Sequence, residues 1–409
     1  MARRNIVVGL DIGTTKTVVL VGEATEGAGV ELIGVGEAPS QGMRRGSIVN
    51  LEETVRAVDL ALERAEHFSG AQITGAFVGV AGPTIGSFNN RGVAAVRRED
   101  REILEEDVKR AMNNARCIAI PEECSIIHIL PRQFIVDGNE GIHDPVGMTG
   151  TRLEVEVHIV TGAYTFLQNV VKSVQRAGIK VQGLVLNPLG AAEAVLYPAE
   201  KELGALLVDI GGGTTDLALY AGGSLWFTSV LPVGGDHITS DLAVGLRTTH
   251  GEAERIKIEY GTVCKDDGAA NESVEVASLG WGKRSRVPRA QIAEIIIPRV
   301  QEILDMVRQE VERSGYRGVL PGGAVFTGGG ALLKGFLDMA QAELGLPVRL
   351  GRPVYLKGLA DMVNSPGFAA AAGVLLYAAR NFKEEMASRG DPLLGGLWGR
   401  IKSWLKELA

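Results

Sequence analysis

The residues best placed to do chemistry lie in one stretch, residues 205–220, which reads Ala-Leu-Leu-Val-Asp-Ile-Gly-Gly-Gly-Thr-Thr-Asp-Leu-Ala-Leu-Tyr. Gly211, Gly212 and Gly213 carry no side chains, so backbone N–H groups there can close on an anion. Thr214 and Thr215 add hydroxyl donors. Asp209, at the end of an apolar run, can hold a hydrated Mg2+ or orient a water. Together these are the parts of a phosphate cradle with a carboxylate beside it. The plainer reading is a glycine turn with solvating aspartates, and one loop alone does not choose between them.

A second copy chooses. Residues 6–20 read Ile-Val-Val-Gly-Leu-Asp-Ile-Gly-Thr-Thr-Lys-Thr-Val-Val-Leu: strand, Asp-Ile-Gly, threonines, strand. Asp11 takes the metal-facing place, Gly13, Thr14 and Thr15 the phosphate, and Lys16 adds a positive charge. Two like hairpins far apart in one chain indicate an internal duplication able to face both sides of one ligand. A third glycine turn follows in residues 324–336, where an apolar strand runs through Gly328, Gly329 and Gly330 into an expected helix. The N-terminus of such a helix favours an anion or a polar ligand edge.

These loops need strands to hold them, and continuous apolar runs flanking each glycine turn predict buried hairpins. Around the first, the pattern predicts strands at 30–35 and 73–80 and a helix over 51–68. Asn50 is placed as its N-cap, Glu53 for a capping box and Gly70 as its stop. Arg44 and Arg45 read as solvated. From Gly82 to Thr161 the order is helix (101–114), strand (125–134), loop (137–150) and strand (153–160), too long and regular for a linker. We read it as an inserted subdomain. His128 and His158 fall in alternating strands without a carboxylate cluster and read as structural, and Asp137 and Asp144 as turn residues. A helix over 164–178 and a strand over 181–186 follow. Two Ala-rich helices, 188–196 and 365–377, suit a close crossing through small residues such as Gly190, Ala191 and Ala192.

The chain of 409 residues is long enough for two domains with sizeable cores. Its 42 basic and 49 acidic residues leave a net charge of −7, which argues against a general nucleic-acid grip. Three cysteines, Cys117, Cys124 and Cys264, show no CxxC spacing and point to neither zinc nor a disulfide framework. The N-terminus leads directly into the first strand without a signal-peptide pattern, and no apolar run approaches the ~18 to 20 residues of a spanning helix.

Taken in this order, the three glycine motifs resemble those of the actin/DnaK/sugar-kinase ATPase superfamily, and within it the chain resembles the FtsA family of bacterial division proteins. The segments that carry the FtsA resemblance are Ile126 to Gly138, Asp144 to Gly150, Arg152 to His158, and Leu231 to Thr248. The resemblance implies an α/β, actin-like (ribonuclease H-like, duplicated) ATPase fold with an inserted subdomain called 1C. The implied parts are 1–82 and 163–203 (1A), 83–162 (1C), 204–235 and 316–380 (2A), 236–315 (2B), a linker at 381–392 and a terminal helix at 393–409. It further implies ATP and Mg2+ as ligands, with Asp11 and Asp209 holding the metal through water and Asp209 the candidate catalytic group. Gly234 and Gly235 would form another loop near the phosphates. Glu254 and Lys257, on one helix face, would contact ribose and adenine; without the resemblance they read as a surface ion pair worth little. In subdomain 2B, Arg286, Arg289 and Arg299 would receive the acidic and apolar tail of FtsZ, the competing reading being a solvated basic turn.

The end of the chain adds a second activity. At about 100° per residue, Leu394, Leu397, Trp398, Ile401, Trp404, Leu405 and Leu408 share one face, with Lys402 and Lys406 on the other. An apolar Trp/Leu face opposite cations is what an interfacial membrane helix needs. The expectation is thus an ATP-binding protein that polymerises on the inner face of the cytoplasmic membrane at midcell. It would anchor FtsZ filaments there and recruit later division proteins through 1C. Hydrolysis is expected to be slow or absent, because Asn187 precedes Pro188 where hydrolytic relatives have a glutamate. A PilM-like pilus protein or a sugar-kinase-type enzyme are the alternatives.

Overall fold

The two glycine hairpins each open a sheet of the same plan. In the computed structural model, which describes residues 5–25, 29–264, 272–279 and 284–390, Ile6–Ile12, Lys16–Ala24 and Val30–Pro39 form an antiparallel meander. Gly75–Val80 and Lys180–Leu186 continue that sheet in parallel, and Leu356–Gly358 closes its far edge. The second sheet repeats the arrangement with Ala205–Ile210, Thr215–Ala221 and Ser224–Leu231 as the meander and Ala324–Thr327 and Val348–Leu350 in parallel. Every residue of Ala205–Ile210 is buried. That explains the unbroken apolar run: strands covered on both faces do not alternate.

Helices cover the sheets where the sequence permits close approach. Leu51–Ser69 starts at Asn50, whose side chain accepts from the Glu53 N–H at 3.3 Å, and stops at Gly70 in the left-handed region (φ 64°). It lies against Val30–Pro39 at Gly36, where an added Cβ would overlap the Ala61 carbonyl. Two further helices, Asn187–Val195 and Ala369–Gly390, connect the two domains and cross at Gly190 and Gly373. A Cβ on Gly373 would overlap the Gly190 carbonyl oxygen, so backbone rests on backbone there.

The inserted unit is a four-stranded sheet, Ile85–Ala95, Arg152–Ala163, Cys124–Val136 and Asn139–Ile142 in that order, backed by the helix Glu105–Arg116. Ile103, Val108, Ala111, Met112, Phe134 and Leu153 make its core. The strand Ile85–Ala95 goes beyond the sequence expectation. It is an edge strand whose run Gly-Ser-Phe-Asn-Asn-Arg-Gly has almost no apolar alternation, so periodicity gives it no signal. Asp137 does act as a turn residue: it accepts from the Thr151 hydroxyl (2.6 Å) and the Arg152 N–H (2.8 Å), pinning the loop that ends the sheet. His128 accepts from the Leu186 N–H at 3.0 Å, and His158 contacts Asn89 Oδ1 at 2.7 Å and Thr228 Oγ1 at 2.9 Å.

The second domain carries its own outer lobe. Gly235–Gly245, His250–Tyr260 and Arg289–Arg313 pack together beside a two-stranded ribbon of Ser273–Ala277 and Arg284–Pro288. Among the described residues no helix is long and apolar enough to cross a membrane. The expected amphipathic helix over 393–409, with all its membrane-facing residues, lies outside the described residues.

Candidate functional site

The two glycine turns meet tip to tip. A Cβ on Gly213 would overlap Thr14 Oγ1, and one on Gly212 would lie 2.5 Å from Thr15 Cγ2. Each turn is closed by one backbone hydrogen bond, Gly13 N–H to the Lys16 carbonyl (3.0 Å) and Gly211 N–H to the Thr214 carbonyl (2.9 Å). The Gly46 N–H donates to Thr14 Oγ1 at 3.1 Å, so the segment after Arg44 and Arg45 also abuts this junction. Between the turns opens a cleft of about 490 Å³, within the range of ligand pockets. Asp11, Gly13, Thr14, Thr15, Lys16, Gly211, Gly212, Gly213 and Thr214 all line it.

Gly328, Gly329 and Gly330 form another wall. Gly328 has φ 81°, and its missing side chain leaves room for the Asp209 carboxylate. Here the structure corrects the sequence reading: the glycines enter a short 3-10 turn, Gly329–Leu332, and the helix starts only at Phe336. No α-helix N-terminus points from them into the cleft. The opposite wall comes from the outer lobe of the second domain. Lys257 Nζ lies 2.7 Å from Glu254 Oε2 and donates to the Gly235 carbonyl (3.1 Å) and to Thr239 Oγ1 (2.9 Å), while the Thr239 hydroxyl donates to Glu254. This pair is therefore built into the cleft wall and differs from an ordinary surface ion pair.

Two expected residues stand elsewhere. Thr215 is fully buried and its hydroxyl donates to the Val233 carbonyl at 2.8 Å, because the strand alternation turns it away from the cleft. Gly234 lies behind phosphate turn two, supporting it: the next two amides, Gly235 and Asp236, donate to the Gly211 and Gly212 carbonyls at 2.9 and 2.8 Å. The three arginines assigned to a partner also separate. Arg289 lines the cleft and donates through Nε to the Tyr260 carbonyl (3.2 Å). Arg299 makes a two-pronged bond to Asp241 (2.7 and 3.1 Å). Arg286 is mostly exposed, 3.7 Å from Glu275.

At the floor sit three carboxyl groups, Asp209 and Asp216 buried and Asp11 half-buried. Burial raises the Asp11 pKa, an effect opposed by the Asn187 amide, which donates to Asp11 Oδ1 at 3.0 Å, and by Lys16. Burial together with the Asp11 charge pushes Asp209 up to about 7. Asp216, directly across the hairpin from Asp209, is raised by burial and by the Asp209 charge, and its Oδ1 finds no hydrogen-bond partner among the described residues. Asn187 Oδ1 is likewise buried without one. Acids stacked this densely in a dry place favour either protons or a cation. A divalent ion with phosphate oxygens fits this donor set: acidic floor, orphaned oxygens, glycine walls that leave space. Asp216 and Asn187 escaped the sequence reading, which treated them as a strand resumption and as a missing glutamate. The available signal was the hairpin register, since a four-residue tip places Asp209 and Asp216 opposite each other.

Comparison with known proteins agrees with this architecture. A family model for "Cell division protein FtsA" matches residues 206–373, and one for an SHS2 domain inserted in FtsA matches residues 82–161. The cell division protein FtsA of Pseudomonas aeruginosa is 41% identical over 408 residues, covering 98% of this chain and 97% of that protein. This chain belongs to the FtsA family of cell-division proteins. FtsA of Bacillus subtilis is 41% identical over 93% of this chain and 85% of its own length, and FtsA of Escherichia coli 36% over 99% and 98%. Among solved structures, the PilM-PilN type IV pilus biogenesis complex superposes with a TM-score of 0.66 at 17% identity, covering 92% of this chain and 99% of that one. MreB5 of Spiroplasma citri bound to ADP gives 0.58 at 15% identity, covering 93% and 98%. At such identities these two share the actin-like fold alone with this chain. The FtsA identity places the inserted SHS2 unit and the paired glycine turns in one cell-division protein, in place of a pilus component or a sugar kinase.

Proposed function

We propose that this protein binds ATP with Mg2+ in the cleft between its domains and acts beneath the membrane as a filament-forming adaptor for division. The observation that carries the nucleotide reading is the meeting of two Gly-Thr turns over three clustered acids with raised pKa values. Gly13 to Thr15 and Gly211 to Thr214 would hold the phosphates from two sides, with Lys16 as the nearby cation. Asp11 and Asp209 would hold Mg2+ through water, and the ion would neutralise phosphate and carboxylate charge together. Glu254 and Lys257 would take the ribose, and Gly328 to Gly330 with Leu332 and Pro366 the base. Hydrolysis is slow or absent in this reading. Asn187, the residue before Pro188, donates to Asp11, and an amide cannot take a proton from water.

Since the cleft is shared by both domains, ATP favours the arrangement in which both turns reach it, and the crossing helices carry that preference to the rest of the molecule. The adaptor role rests on family membership and on the amphipathic pattern of residues 393–409: this end would bind anionic lipid, the outer lobe would hold the FtsZ tail, and subdomain 1C would recruit later division proteins. For the tail, Arg286 is the most accessible of the three arginines, whereas Arg289 is committed to the cleft.

The test is co-sedimentation with anionic liposomes, with and without ATP·Mg2+, for the full chain and for one ending at Pro392. The reading expects the full chain to pellet, more so with ATP, and the shortened chain to stay in solution while still binding ATP. Equal behaviour of the two forms would remove the membrane role. Failure of either form to bind ATP would remove the nucleotide role.

A further inference from the structure

The insert leaves the first domain in sequence yet leans on the second. Its strands pack against Ser224–Leu231, the edge strand of the second-domain sheet. The contacts are few and specific. The Ser87 hydroxyl donates to the Thr228 carbonyl at 2.8 Å, His158 Nε2 meets Thr228 Oγ1 at 2.9 Å, and the Arg132 guanidinium stacks on the Trp226 ring at 3.6 Å.

Two features show that this junction is poorly satisfied. Arg132 is 8% exposed, its nearest carboxylate is Glu156 at 3.9 Å, and its Nε and Nη2 find no acceptor among the described residues. The Trp226 Nε1 stacked against it is also buried without an acceptor among the described residues. Three donor nitrogens thus meet without an acceptor among the described residues, which is costly wherever water is excluded. Beside them, a cavity of about 800 Å³ opens between Leu130 and Pro131 of the insert, Leu225 of the edge strand, and Leu189 and Leu376 of the two connecting helices. Packing gaps and orphaned donors at one seam mark a place that parts more readily than a core.

We propose that this seam is a releasable latch between the inserted subdomain and the second domain, with Arg132 as the group that keeps it releasable. Closed, the latch ties together two units that otherwise move about the Gly190–Gly373 crossing. Open, it hydrates Arg132 and Trp226 Nε1 or offers them to an acceptor, and frees the insert to reorient. Latch and cleft share the same pair of connecting helices, so the equilibrium of one biases the other. This last step rests on the nucleotide reading; the latch itself does not.

Trp226 reports on the seam directly. With Trp281, Trp398 and Trp404 replaced by Phe in the full chain, acrylamide quenching of the remaining Trp226 measures how open it is. Arg132→Met keeps the stem and removes the buried charge, and leaves Glu156 its Arg91 and Gln133 partners. It is expected to lower the quenching constant and raise the thermal midpoint by a few degrees. Thr228→Val removes the His158 contact and is expected to raise quenching. The two variants are then expected to shift ATP affinity in opposite directions. A destabilised or more quenched Arg132→Met protein overturns the latch, since the arginine would then be holding the seam together. Unchanged quenching in Thr228→Val overturns it too. If the fluorescence changes appear as stated while ATP affinity shifts in neither variant, the coupling is overturned and the latch stands. Absence of ATP binding in the parent protein defeats the nucleotide reading and leaves the fluorescence result decisive for the latch.

Discussion

Asp209 shows how a single residue can carry two opposed demands. Folding buries it beside Asp11 and Asp216, and its pKa rises from 3.8 to about 7. An acid whose folded pKa is raised binds protons better folded than unfolded. Its contribution to stability is therefore most favourable below the unfolded value and is lost as pH rises through about 7. The ligand-free protein is expected to lose thermal stability between pH 5 and pH 8, and Asp209→Asn to flatten that slope. Scanning calorimetry across this range, without Mg2+ or nucleotide, measures it. Gly213 is constrained differently. Gly213→Ala places a methyl group on Thr14 Oγ1 and pushes the two turns apart. ATP affinity is expected to fall at least about tenfold, some 1.4 kcal/mol, in equilibrium titration. The far-UV circular dichroism should stay unchanged, because neither strand is touched.

At the scale of elements, the crossing of Asn187–Val195 and Ala369–Gly390 governs how the domains meet. Gly373 cannot gain a side chain without displacing the Gly190 carbonyl, whereas a Cβ on Gly190 would lie 3.2 Å from the Val374 nitrogen, a milder crowding. Gly373→Ala is expected to destabilise by more than about 3 kcal/mol, and Gly190→Ala by roughly 1 kcal/mol. Denaturant unfolding of the two variants checks the order as well as the size. A reversal would mean that the helices slide more easily than backbone contact allows.

The whole molecule is a pair of like sheets with a cleft between their glycine turns. A ligand bound only by the folded form stabilises through mass action, about 2.7 kcal/mol at a hundredfold excess over Kd. ATP·Mg2+ is expected to raise the thermal midpoint of the full chain by a few degrees. Asp209→Asn should retain the fold and lose most of that rise, since the amide cannot bind a hydrated cation as a carboxylate does. A full rise in Asp209→Asn would shift the metal-holding role to Asp11 and Asp216.

What the sequence determined by itself is what neighbouring residues decide among themselves. The hairpins, the glycine turns, the Asn50 cap and the Gly70 stop all rest on steric and hydrogen-bonding rules acting within a few residues. The duplicated Asp-Ile-Gly pattern even pointed to the pairing of two such turns, which line one cleft. Tertiary structure decided whatever depends on distant segments arriving together. Asn187 reaches Asp11 only because two parallel strands, with Gly75–Val80 between them, end at the same edge of one sheet. Arg289 lines the cleft because its helix begins against Tyr260. Thr215 turns inward while Asp216 joins the acidic floor, through the alternation of a strand whose covered faces only the packed domain defines. The polar edge strand Ile85–Ala95 and its leaning on Thr228 had no local signature at all. Their stability comes from sheet pairing and contact across units, which no window of sequence contains.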